Sequence, residues 1–169
     1  MSMRIFPFVG RTIPAVLAAA TALNPALAVA APTGTSGGTL VPLRSILRSC
    51  DYSPIPTGAS TNNATVSALI RATGGGVAAD VQLSETGSPG THFDVILIQA
   101  PRASTSPCTS AGPGVAIAGL DTDGVGLGAT TVQDSIHSGT TGVWVFVRRA
   151  SPYSQTPAEF YTSDFVAPV

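Results

Sequence analysis

Two uninterrupted apolar runs, Val95-Ile96-Leu97-Ile98 and Val143-Trp144-Val145-Phe146-Val147, set the strongest condition on any fold for this chain. Successive side chains of a strand point to opposite faces, so a strand without a polar face must be covered on both sides. The rest of the chain is built differently: short apolar stretches alternate with clusters of Gly, Pro, Ser and Thr, the cadence of a β-sandwich or barrel. In residues 77–84, Val77, Ala79, Val81 and Leu83 share one face and Ala78, Asp80, Gln82 and Ser84 the other. Strands are predicted near residues 43–50, 64–72, 77–84, 92–99, 114–122, 126–136, 142–149 and 159–166. The expected fold is all-β, a single antiparallel β-sandwich of about 7–8 strands with the two apolar runs at its centre.

The connections carry matching turn chemistry. Gly74-Gly75-Gly76, Ser88-Pro89-Gly90 and Asp123-Gly124 each stand between predicted strands, and the Asp-Gly pair is expected to close a tight hairpin through a positive φ. Residues 103–113 read as a long Ser/Pro loop pinned by Cys108.

Residues 1–30 have the layout of a cleavable signal peptide: Arg4 and Arg11, an uncharged apolar stretch from Thr12 to Leu23, and small residues ending Ala28-Val29-Ala30. Pro14 and Asn24-Pro25 interrupt this stretch, which argues against a membrane-spanning helix. A flexible Gly/Ser/Thr arm over residues 31–39 and one domain over residues 40–169 follow. No transmembrane segment is expected once the signal is removed, and the protein is placed outside the cell or in the envelope.

Only 10% of residues are charged and every one of the 8 basic residues is arginine, with Arg148-Arg149 the sole adjacent pair. Nucleic-acid binding through a basic face needs clustered cations, so no nucleic-acid partner is expected. In an exported chain the two cysteines, Cys50 and Cys108, read as one disulfide. Neither Cys-x-x-Cys nor a neighbouring histidine is present to suggest redox catalysis or a zinc site.

Three sets of residues are nominated for function. Ser135 and His137 lie two apart on a predicted strand and share a face, so with a carboxylate such as Asp94 or Asp121 they compose the parts of a hydrolase. Asp121-Thr122-Asp123-Gly124 has the alternating acids of the first half of a calcium loop, without the later glutamate, and is equally an ordinary turn. Tyr153, Phe160 and Tyr161, in the aromatic C-terminal segment, either seal the core or line a partner site. Asn63-Ala64-Thr65 has the form of a glycosylation sequon.

Gly90 to Gln99, Leu120 to Gly126 and Thr140 to Val147, with the Ala-rich export signal and the absence of lysine, resemble small secreted proteins of actinobacteria, the mycobacterial type included. That resemblance implies an immunoglobulin-like or fibronectin-like sandwich and no particular activity. Unlike an antibody domain, this chain places Trp144 after Cys108 instead of between its cysteines. The expectation is an exported, non-enzymatic binding or structural domain without a cofactor, its partner an envelope protein, a glycan or an apolar ligand. The alternatives are the Ser135/His137 hydrolase and a purely structural or antigenic protein.

Overall fold

The computed structural model describes residues 37–57 and 64–169. The signal-peptide reading, most of the arm and Asn63 of the sequon lie outside these residues. The described chain is all-β: β1 (Thr39–Arg44), β2 (Thr65–Thr73), β3 (Gly76–Ser84), β4 (His92–Ala100), β5 (Val115–Asp121), β6 (Leu127–Ser135), β7 (Gly142–Arg149), β8 (Glu159–Ser163) and β9 (Ala167–Pro168). They form one antiparallel sheet in the order β5-β4-β7-β8-β1-β2-β3-β6, with the short β9 pairing with β7 beyond the end of β8.

The sheet folds back on itself. Inward side chains of β1, β2 and β3 (Val41, Val66, Ala68, Val81) and of β4, β7 and β8 (Phe93, Val95, Val145, Tyr161) share one buried core. Two seams join the halves. At one, β1 meets β8 through only two residue pairs, Leu43 with Ser163 and Arg44 with Thr162. At the other, β5 and β6 pack together without a ladder among the described residues. Here Gly128 is required, because a Cβ would stand 2.4 Å from Leu120 Cδ2 across the seam.

Both apolar runs sit where the sequence demands. β4 and β7 are neighbours, paired from Asp94–Arg148 to Ala100–Gly142. Their inward residues enter the main core, while Ile96, Ile98, Trp144 and Phe146 form a second cluster on the outer face with Cys108, Val115 and Phe160. Burying a large apolar side chain contributes roughly 1.5–3 kcal/mol, so this outer layer is a substantial part of the fold's stability. Its cover comes from the irregular segments carrying Leu47, Cys50 and Tyr52, and from the long loop of Cys108.

Three expectations need correction. The first strand is residues 39–44, not 43–50, because Val41 and Leu43 point inward against β2 whereas residues after Arg44 leave the sheet to cover Trp144. Thr39 therefore belongs to the sheet and not to the arm. The Asp123-Gly124 turn joins β5 to β6 across the seam instead of closing a ladder, and the positive φ falls on Gly126, at 83°. The tight two-residue hairpin is Gly74-Gly75, with φ of 60° and 85°, between the fully paired β2 and β3. The order of strands also differs from that of an antibody domain, whose second and third strands lie in opposite sheets, whereas β2 and β3 pair here.

Candidate functional site

The disulfide Cys50–Cys108, with Cα atoms 5.6 Å apart, ties the segment after β1 to the loop between β4 and β5. The first segment folds over the outer cluster as a compact loop. Ser49 N–H donates to Ser53 O at 2.8 Å, Tyr52 N–H to Ser49 O at 2.9 Å and Ile55 N–H to Leu47 O at 2.8 Å. At its tip Tyr52 takes a φ of 72°, a conformation that costs a non-glycine residue of order 1–3 kcal/mol and needs support from its surroundings. Support comes from three sides: its hydroxyl donates to Ser163 O at 2.6 Å, its ring meets Trp144 edge-on at 5.4 Å, and the Arg48 guanidinium stacks on it at 4.0 Å. Burial, the largest influence, raises the Tyr52 pKa against the opposing pull of Arg48. The Ser49 hydroxyl and the Ser53 N–H both donate to the Asp51 carboxylate, which lowers its pKa.

Arg102 braces the second loop by donating from Nη1 to Pro113 O at 3.0 Å and from Nη2 to Pro107 O at 2.6 Å. Arg148, on β7, reaches the same loop at Thr109 O, 3.3 Å away. A third segment, residues 155–157, completes the surround before β8 begins. The three enclose an open cavity of about 430 Å³ with an apolar interior of Phe146, Leu47, Ile55, Pro157 and the disulfide itself. Ser49, Ser104, Thr109, Gln155 and Thr156 supply polar groups, and among the described residues the charged lining residues are Arg48 and Arg148, with no carboxylate. Arg148 is paired with Asp94 at 3.1 Å, whereas Arg48 Nε is buried without a hydrogen-bond partner among the described residues. A wider hollow of about 570 Å³ lies along β2, β3 and β6 beside Arg71 and Asp134, and among the described residues it is lined by strand residues alone.

The nominated hydrolase residues are not assembled. Ser135 ends β6 opposite Gly76, and His137 approaches Asp134 at 4.0 Å; among the described residues no hydrogen bond joins Ser135 Oγ to the imidazole. Asp94 and Asp121, the acids suggested for that set, gather instead around His92. Asp121 Oδ1 lies 2.7 Å from His92 Nδ1, Asp94 Oδ1 lies 3.7 Å from Nε2, and Asp94 also pairs with Arg148. Register is the reason: His92 stands opposite Asp121, and the imidazole lies across Gly119, where a Cβ would come within 2.9 Å of the ring. His92 begins β4, whereas His137 N–H donates to Gln99 at its far end, seven residues or roughly 23 Å along the strand. The two histidines therefore cannot form a metal pair.

Asp123 is a turn residue: its Oδ1 accepts from Val125 N–H and Leu127 N–H, both at 2.9 Å, and these bonds lower its pKa. Asp121 turns to His92 instead of joining it. Among the described residues no group of three or more His, Cys, Asp and Glu is arranged to hold a metal ion.

The aromatic set divides. Phe160 and Tyr161 are buried at 5% and 1% exposure in the outer and inner clusters, and Tyr153 is 95% exposed. Phe160 and Tyr161 thus seal the core and do not form a binding face. Tyr161 also anchors a polar group inside the fold, donating to Glu159 Oε1 at 2.5 Å and accepting from Ala64 N–H at 3.1 Å, while Arg149 pairs with Glu159 at 3.2 Å. Glu85, also buried, has one carboxylate oxygen without a hydrogen-bond partner among the described residues.

The cavity residues were not singled out in the sequence apart from the disulfide. Arg48 and Cys50 two positions apart were the available signal, but the approach of residues 155–157 depends on how β8 pairs with β7. Comparison with family models, with curated proteins and with solved structures finds no match to this chain.

Proposed function

We propose that this chain is an exported, non-enzymatic binding domain that holds a small ligand in the loop-walled cavity beside Cys50–Cys108. The observation carrying this reading is the cavity itself: three irregular segments, a covalent tie and a strained Tyr52 maintain an open space of about 430 Å³ in the cover of the sheet, within the size range of ligand sites. The disulfide supports an oxidising compartment, in keeping with the signal-like first thirty residues and the resemblance to small secreted proteins. We read the two packed halves as a sandwich, akin to immunoglobulin-like domains in layering and distinct in strand order.

The test is the intact mass of protein recovered from its host, recorded under native and then denaturing conditions. A chain starting at Ala31, two hydrogens short, with extra native mass released on denaturation, is the expected result. The bare polypeptide mass in both conditions counts against a resident ligand, and retention of residues 1–30 counts against export by cleavage.

A further inference from the structure

The cavity is lined by apolar and polar residues and two arginines, with no carboxylate to balance Arg48 among the described residues. Arg48 Nη1 already donates to Tyr52 O at 3.0 Å and its guanidinium is fixed over the Tyr52 ring, so the group is held in place. Its Nε is enclosed by the protein itself, and the guanidinium forms no ion pair among the described residues although Arg48 lines the cavity. A cation lining an apolar cavity without a counter-ion is best satisfied by an anionic oxygen. Arg148, the second cation, is neutralised by Asp94, which leaves Arg48 as the unbalanced charge of the cavity.

We propose that the ligand is an amphiphile with an anionic head, a carboxylate received by Arg48, and an apolar tail laid over Phe146 and the disulfide. This inference rests on the binding role proposed above. Space bounds its size: at roughly 30 Å³ per water-sized group, a cavity of about 430 Å³ has room for about 14 heavy atoms, enough for a medium-chain fatty carboxylate. Small polar anions lack the apolar body that Leu47, Ile55 and Phe146 would cover, and neutral hydrocarbons leave Arg48 unmatched.

The experiment is calorimetric titration of the protein, purified as its host exports it and stripped of bound lipid, with three probes of one chain length: decanoate, decanol and decyltrimethylammonium. Decanoate is expected to bind at least about tenfold more tightly than decanol, and the cation not at all. Ser104→Phe, a substitution of an exposed residue at the wall, is expected to abolish binding of every probe. Arg48→Gln is expected to bind decanoate no better than decanol. Equal binding of decanoate and decanol to the wild type, or preference for the cation, overturns the head-group assignment and leaves the binding role standing. Undiminished decanoate binding to Arg48→Gln does the same. Absence of saturable binding by all three probes sinks both. Should Arg48→Gln lose decanol as well, Arg48→Lys must restore decanoate binding, and its failure to do so overturns the proposal.

Discussion

Gln99 on β4 donates from Nε2 to Asp134 Oδ2 on β6 at 2.8 Å, joining strands that are not neighbours in the sheet. The same amide nitrogen donates to Ser135 O at 2.8 Å, and Oε1 accepts from His137 N–H at 2.9 Å and Thr140 Oγ1 at 2.7 Å. One buried side chain thereby clamps the two halves and shapes the β6–β7 turn. Gln99→Leu keeps the volume and removes every bond. It is expected to destabilise by roughly 2–3 kcal/mol in a denaturant titration, with faster amide exchange at His137 and Thr140.

Gly126 and Gly124 make a contrasting pair within one turn. A Cβ on Gly126 would lie 2.0 Å from Glu85 O, and its φ of 83° is itself unfavourable for other residues; Gly124 has nothing within 4 Å. Gly126→Ala should lower stability by more than about 2 kcal/mol, and Gly124→Ala should stay within about 0.5 kcal/mol of the wild type. Unfolding midpoints in urea measure both.

Replacing Cys50 and Cys108 together by serine opens a loop whose ends are 58 residues apart. The chain-entropy model gives a loss of about 4 kcal/mol. Thermal unfolding reads the total, and protease cleavage within residues 101–114 should appear before global unfolding because the tie to Cys50 is gone.

Tyr161 makes stability fall in alkali. Its pKa is raised, first by burial and then by its hydrogen bond to Glu159, so the folded state favours the neutral phenol. The contribution is whole below the ordinary tyrosine pKa of about 10 and is lost as pH rises beyond it. Tyr161→Phe should cost about 1–3 kcal/mol at neutral pH, leaving Glu159 and Ala64 N–H without this partner, and should decline less steeply above pH ~10. Melting temperature against pH checks the sign; the raised Tyr52 pKa leaves part of the decline in the variant.

Alternation and turn residues placed most strands within a residue or two, and the two unbroken apolar runs located the doubly covered strands β4 and β7, which lie beside the terminal strand β5 and not at the middle of the sheet as expected. β1 was harder to read because Gly37, Gly38 and Pro42 look like linker, and its strand character rests on pairing with Ser67 and its neighbours in β2. His92 and Asp94 were readable as one face of a strand, but the addition of Asp121 required the β4–β5 register. Gln99 reads in sequence as the end of an apolar run; its clamp exists only because the halves fold over one another. The cavity is a product of loop against loop, for which neither period nor propensity supplies a signal.

The seam at Gly128 and Leu120 also bears on how copies of this protein behave towards each other. A sheet that ended in open solvent would offer backbone donors and acceptors to a neighbouring chain, the starting point of fibre growth. Here the two terminal strands, β5 and β6, turn their rims towards one another, close enough that a methyl group on Gly128 would collide with Leu120. The two edges face one another instead of diverging, and the smallest side chain in β6 is what allows Leu120 its place between them.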